Sequence, residues 1–459
     1  MQKENKMGVM PIKQLIISMS LPMMISMLVQ ALYNIVDSAY VARLSEDALT
    51  AVTLAFPMQN LMIAFGSGLG VGMNAILSRS LGQKDFKKSD KAANTGILLT
   101  IFNVLLFVIL GLFVASPFIH SQTNNVSIAK DGIAYLQIVN CLSIGLFFQM
   151  TFERLLQSTG QTVYSMITQA TGAIINIILD PILIFGLLNL PKLGVAGAAY
   201  ATVIGQCCAA VLGLFFNLYK NKEIHFHIKD ILQIDGAMIR KIYEIGIPSI
   251  LMMSIGSIMT YLMNKILIVF STTATAVFGV YFKLQSFFFM PIFGMNNGLV
   301  PVLAYNYGAR RKDRIDEALK FAIKLAISIM IFGTIIMHLF PRQLMGLFQA
   351  SEDMLAIGIP ALRIISLQFP IAAVCIALGS TFQAFGKGTY SLIISIARQL
   401  VTLIPAAYLL SLTGNVNNVW FAFIIAEGTS LIFSLYLFKK LYSNIVVPLD
   451  IQEPIKGAY

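Results

Sequence analysis

The chain has 459 residues, of which 57% are hydrophobic and 12% charged, with a mean hydropathy of +0.78. Soluble domains carry charge on roughly a quarter of their residues, so a water-soluble architecture is excluded. The 32 Lys+Arg against 21 Asp+Glu give a formal charge of +11, yet the positives sit in short loops between apolar runs. Topology explains them there without a nucleic-acid partner.

The apolar runs predict helices. A backbone in lipid must satisfy its own hydrogen bonds, and these runs are too long and too irregular for barrel strands. In chain order they fall at 14–41, 49–77, 93–116, 132–156, 163–187 and 195–219, then at 241–269, 276–303, 319–340, 356–382, 389–411 and 416–438. The first apolar stretch, Ile12–Val41, exceeds a signal-peptide core and has no small-residue cleavage site, so it is expected to stay as a span. All four cysteines (Cys141, Cys207, Cys208, Cys375) lie inside apolar segments and read as small buried hydrophobes.

Loop charge sets the orientation. With the N-terminus in the cytoplasm, Lys3, Lys6, Lys13, the basic residues of 79–91, 220–241 and 310–320, and Lys439, Lys440 and Lys456 all fall inside. Only Arg43, Lys130, Lys192 and Arg342 fall outside. This bias is expected when basic loops remain cytoplasmic, and it places both termini inside.

An internal repeat runs through the chain. At an offset of 226, Pro22 matches Pro248, Gly68 matches Gly294, Gly72 matches Gly298, Gly82 matches Gly308 and Gln157-x-x-Gly160 matches Gln383-x-x-Gly386. The offset drifts to 221 near the sixth span, where Val195 aligns with Val416. Each half has six spans starting on the same side, so the repeats are parallel. The expected fold is therefore all-α, with twelve transmembrane helices in two six-helix lobes, 1–225 and 226–459, around a central cleft. Such a plan serves transport by rocking of the halves. In each of the matched stretches Ser78–Lys91 and Asn306–Lys320 a glycine ends the preceding span and a charged run leads into the next helix.

Several polar residues stand where lipid should exclude them. Asp37 lies deep in the first span and Asp180 in the fifth, and a carboxylate at such depth needs a cavity, a partner or a function. Asn176 is one turn before Asp180 on the same face, and Pro181 frees a carbonyl of that helix. These groups read either as an oxygen-rich site for Na⁺ or a proton, or as interhelical glue. Thr202 in the sixth span is a weaker candidate ligand, and Tyr33 and Asn34 either orient Asp37 or pack. Glu153 and Arg154 form an interfacial pair or expose Glu153 to the cleft.

In the second half Lys265, Lys283, Arg363 and Arg398 lie in or near apolar spans, with Tyr281 beside Lys283. Some reach the interface by snorkelling. Arg398, at mid-span, needs an acid such as Glu427. Met58, Met62, Met150 and Phe287 are candidates for an adaptable surface that takes flat cations, with packing as the alternative. No catalytic constellation appears, so no enzyme is expected. GSGLGVG at 66–72 lies inside a span and reads as close helix packing.

The segments SLPMMISMLVQALYNIVDSAYVARL, QSTGQTVYSMITQATGAIINIILDPILIFGL and LGVAGAAYATVIGQ resemble the multidrug and toxic compound extrusion (MATE) family, as does the duplicated glycine-to-basic loop text. The resemblance spans nearly the whole chain and is nearest to the bacterial drug-efflux branch. It implies export of cationic or amphiphilic organic compounds by antiport with Na⁺ or H⁺. It also implies a coupling site of Asp37, Asn176, Asp180 and Thr202, the first three as possible Na⁺ ligands. Tyr33, Met58, Met62, Met150, Glu153, Tyr281, Lys283, Phe287 and Arg398 are the candidate cleft contacts. No other cofactor and no nucleic acid are implied, and a monomer in the bacterial cytoplasmic membrane, contacting lipid, is expected. The seventh and tenth spans lack the acids some relatives use. A lipid-linked saccharide flippase of the same architecture is the alternative, favoured if the basic residues of the second half bind phosphate.

Overall fold

The computed structural model describes residues 5–348 and 350–451, so Lys3 and Lys456 lie outside the described residues. Ten helices are long and apolar enough to cross a membrane, and two bent pairs complete twelve spans. They are α1 (Ile12–Ala42), α2 (Glu46–Gly82), α3 (Phe86–Phe113), α4 (Val126–Cys141 and Ile144–Ser158), α5 (Thr162–Phe185) and α6 (Val195–Tyr219). The second set is α7 (Gly236–Leu267), α8 (Thr272–Gly308), α9 (Lys312–Leu339), α10 (Glu352–Ser366 and Phe369–Ala384), α11 (Gly388–Ser411) and α12 (Val416–Leu449). Among the described residues there is no strand. The chain is a multi-pass membrane protein.

Hydropathy located every span but not its full length or shape. Helices α2 and α8 each run 37 residues, about 55 Å at 1.5 Å per residue, and so extend well beyond a bilayer core. The pieces of α4 meet at 46° and those of α10 at 47°. Ser143 and Gly145 flank the first bend, and Pro370 opens the piece after the second. Helix α11 contains a π-helical stretch, Ala397–Leu403. Pro405 cannot donate to the carbonyl four residues back, which lies inside that stretch.

The backbone repeats as the sequence does. Ser45 and Ser271 cap α2 and α8 by accepting from the amides of Ala48 and Ala274, each at 3.0 Å. Lys84 and Arg310 hold φ of 60° and 58°, and Gly160 and Gly386 hold 88° and 77°. Each pair is 226 apart.

Contacts divide the chain into two compact units, Ile25–Ile250 and Met1–Met24 with Leu251–Tyr459. The divisions fall inside α1 and α7, not in the connector after Tyr219. In the first unit, the opening half of α7 packs on α2. A Cβ on Gly68 would lie 2.7 Å from the Gly246 carbonyl oxygen, and one on Gly72 would collide with the Ile242 carbonyl. In the other unit, the opening half of α1 packs on α8, where a Cβ on Gly294 would lie 2.6 Å from the Met23 carbonyl. These glycines permit backbone-to-backbone packing, the reading given to GSGLGVG.

The segment preceding each repeat docks in the same crossed manner. The Arg314 guanidinium donates to the carbonyls of Met7 and Met10 at 3.0 and 2.8 Å and to Asn306 Oδ1 at 3.0 Å. Arg314→Gln is expected to cost about 2–3 kcal/mol through loss of these charged hydrogen bonds. The readouts are a lower unfolding temperature and faster proteolysis near Met10.

The connector docks on α3. Asn94 donates to the His225 carbonyl at 3.2 Å, and the His225 amide donates to Asp90 at 2.8 Å. The Lys91 ammonium pairs with Asp235 and, with the amides of Met238 and Ala237, holds that carboxyl below its ordinary range. A depressed carboxyl stabilises the fold above its unfolded value of about 3.9, and this contribution fades as pH falls below it. Proteolysis of the connector is thus expected to rise on acidification, and Asp235→Asn to flatten that rise.

Candidate functional site

The first unit holds Asp37, Glu153 and Asp180. Asp180 is fully buried and Asn176 is 3% exposed, both on the inner face of α5. One turn separates them, and Asn176 Nδ2 donates to Asp180 Oδ1 at 3.3 Å. The same amide donates to Thr202 Oγ1 of α6 at 3.2 Å. Three buried oxygens remain without a hydrogen-bond partner: Asn176 Oδ1, Asp180 Oδ2 and Asp37 Oδ1. Asp37 acts electrostatically on Asp180, and both act on Tyr33 and Tyr135.

Close approach of α5 and α6 makes the Asn176–Thr202 bond possible. A Cβ on Gly205 would lie 2.6 Å from the Gly172 carbonyl oxygen and 3.3 Å from Asn176 Cβ. Gly197 likewise meets the Leu183 carbonyl, at 2.5 Å. Pro181 sits inside α5, and its missing N–H leaves the carbonyl of Ile177 without its helical donor. Orphaned oxygens, two carboxylates and a hydroxyl form a hard donor set that suits Na⁺ or a proton. No cluster of three His, Cys, Asp or Glu side chains exists among the described residues, so a transition-metal centre has no ligand set there.

Sequence reasoning missed several neighbours. Tyr135 of α4 is 2% exposed and accepts from Gln59 Nε2 at 3.0 Å. Gln169 of α5 donates to Gln30 of α1 at 3.1 Å. Tyr135 reads as an ordinary core tyrosine in sequence, and only its charged surroundings mark it. Glu153, 8% exposed, accepts from Gln149 at 2.9 Å, while Arg154 donates to Gln157 at 3.0 Å. Met58, Met62 and Met150 pack in an apolar cluster with Phe107 and Phe147.

The remaining candidates belong to the other unit. Arg398, on the π-helical stretch, pairs with Glu427 at 3.1 Å, the partner its mid-span position called for. Tyr281 is fully buried and accepts from Gln368 at 3.2 Å. Lys283 lies over the Phe348 ring at 5.9 Å, Lys265 over Tyr261 at 5.5 Å, and Phe287 is half exposed.

Comparison with known proteins decides the family. The MatE family model matches residues 22–182 and 248–409, once for each repeat. The chain belongs to the MatE family. It is 28% identical over 442 residues to the multidrug export protein MepA of Staphylococcus haemolyticus, with 93% of each chain covered. Identity to MepA of Staphylococcus aureus is 25% over 452 residues, covering 97% of each. A solved multidrug resistance MATE transporter in an outward-facing conformation superposes with a TM-score of 0.90 at 26% identity, covering 97% of this chain and 99% of that one. A MOP superfamily transporter from Pyrococcus furiosus, described as having a binding pocket of reverse polarity that suggests a different function, also gives 0.90 at 26% identity, over 98% and 99%. As a MatE protein, the chain moves small molecules across a membrane and is not an enzyme.

Proposed function

We propose that this MatE protein is an antiporter that exports cationic or amphiphilic drugs in exchange for Na⁺ or H⁺, with the coupling ion held by Asp37, Asn176, Asp180 and Thr202. The observation that carries the reading is the Asn176 side chain. It ties Asp180 to Thr202 while its own Oδ1, Asp180 Oδ2 and Asp37 Oδ1 stay unpartnered. A buried oxygen left unpaired in lipid is unfavourable by several kcal/mol, and a bound cation or proton would relieve it. The multidrug export names of the staphylococcal relatives support the substrate class.

In this mechanism the ion and the drug disfavour one another. Charge on Asp37 and Asp180 attracts an organic cation, and neutralising that charge with Na⁺ or H⁺ removes the attraction. Tight exchange needs a coupling of about 1–3 kcal/mol. Tyr33 and Phe287 are retained as aromatic substrate contacts and Glu153 as an acidic one, whereas Met58, Met62, Met150 and Tyr281 support them from packed positions. The working protein is a monomer of the bacterial cytoplasmic membrane with both termini inside, a reading supported by the loop charges.

The basic side chains of the second unit disfavour the saccharide-flippase alternative. Arg398 is neutralised by Glu427, and Lys265 and Lys283 lie over aromatic rings. A phosphate-binding surface would keep such groups free.

The test is accumulation of a fluorescent organic cation in proteoliposomes under a Na⁺ gradient and a pH gradient imposed separately. One of the two is expected to drive accumulation. If neither does and a lipid-linked saccharide is translocated, the flippase reading replaces this one.

A further inference from the structure

Where α3 and α7 begin, the first unit holds a cavity of about 320 Å³ lined by Asp85, Lys87, Lys88, Lys91, Asp235 and Lys241. Two helix N-termini face it. Asp85 caps α3 by accepting from the Lys88 amide at 3.1 Å, and Asp235 caps α7 by accepting from Ala237 and Met238 at 2.9 and 3.2 Å. Lys91 is paired with Asp235, but Lys87, Lys88 and Lys241 form no ion pair among the described residues.

The second repeat places its basic residues differently. At the offset of 226, Lys87 becomes Asp313 and Lys91 becomes Glu317. Lys88 becomes Arg314, whose guanidinium is taken up by the carbonyls of Met7 and Met10 and by Asn306. One repeat therefore satisfies its cation with protein oxygens, whereas the other aims unpaired lysines at a cavity. Phe86, which follows Asp85, is 42% exposed, and Leu232 and Ile234, which precede Asp235, are 68% and 73% exposed. A cationic hollow whose lining segments also carry exposed apolar side chains matches a phosphate attached to acyl chains better than a free anion.

We infer that this cavity is a binding site for the phosphodiester headgroup of an anionic phospholipid, with Lys88 and Lys241 as its principal cations. The lipid would join the start of α3 to the start of α7 and fasten the connector between them. The inference takes only its leaflet, the cytoplasmic one, from the proposed orientation.

Native mass spectrometry of the full-length protein, titrated with phosphatidylglycerol or phosphatidylcholine, tests it without substrate or ion gradient. Its failure is therefore distinct from failure of the antiport reading. Each lysine contributes on the order of 1 kcal/mol, so K88Q/K241Q is expected to bind phosphatidylglycerol roughly ten- to thirty-fold more weakly. Phosphatidylcholine binding should not change, and K88R/K241R should retain the lipid. K87D, which copies the charge of the second repeat, should also weaken binding, and thermal melting of each variant verifies its fold. Inorganic phosphate is the second arm and is expected not to displace the lipid. Equal phosphatidylglycerol binding by wild type and K88Q/K241Q would overturn the inference, as would displacement by inorganic phosphate.

Discussion

Asp180→Asn is expected to lower gradient-driven efflux far more than substrate exchange at equilibrium, which should stay within a few-fold of wild type. The substitution is isosteric. Its amide oxygen still accepts from Asn176 Nδ2, the 3.3 Å contact of the native site, so α5 keeps its packing. What disappears is the carboxylate charge that the proposed coupling ion would neutralise. If that charge transmits the coupling, its loss lowers transport against a gradient by about 5–150-fold, the span of a 1–3 kcal/mol coupling. Counterflow of labelled substrate, which needs no ion gradient, should survive. Gradient-driven uptake at the wild-type rate would show that the coupling ion binds elsewhere.

Gly205→Leu should act on fold and function together. No space exists for the new side chain, since even a Cβ would stand 2.6 Å from the Gly172 carbonyl oxygen. The leucine must push α6 away from α5, at about 1–3 kcal/mol for overpacking. The same movement opens the 3.2 Å bond between Asn176 and Thr202. A lower unfolding temperature and loss of gradient-driven transport are both expected. Two controls separate the effects. Thr202→Val removes the hydroxyl without crowding the helices and should weaken transport while sparing stability. Gly428→Ala in α12 meets no atom within 4 Å and should alter neither.

The contrast between Asp180 and Gly205 shows what sequence reading reaches in such a protein. Asp180 is visible because a carboxylate inside an apolar run violates the strongest rule of the bilayer. Asn176 follows from helical periodicity alone. Thr202 is a harder case, because a hydroxyl is unremarkable in a membrane helix and its partner is 26 residues away. Gly205 and Gly172 look like any small residues of a membrane helix, and their importance arises only from the pairing of α5 with α6. Tyr135 and Gln59 were illegible for the same reason, since they sit 76 residues apart.

The architecture follows the same division. Apolar runs and basic loops specify the spans, and the 226-residue offset specifies the repeat, now seen again in the paired φ values of Lys84 and Arg310. The bends of α4 and α10 leave a weaker trace, because Ser143, Gly145 and Pro370 have many unbent counterparts. Exchange of the opening halves of α1 and α7 between units had no local signal at all. It depends on which glycine-rich face each half meets. Gly68 and Gly72 of α2 receive α7, while Gly294 and Gly298 of α8 receive α1.

Antiport through the acidic cluster requires that ion and substrate exclude one another there. Linkage requires that a substrate which expels the coupling ion be expelled by it in turn. The decisive measurement is cation release, of ²²Na⁺ or of protons into weakly buffered solution, when an organic cation is added to the purified protein. Wild type should release the ion in proportion to substrate bound, and the Asp37→Asn/Asp180→Asn double variant, which binds the cation more weakly for want of the two charges, should release none even at substrate concentrations that saturate it. Equal release by both proteins, or substrate binding by wild type with no release of either ion, would contradict the assignment of Asp37, Asn176, Asp180 and Thr202 as the coupling site.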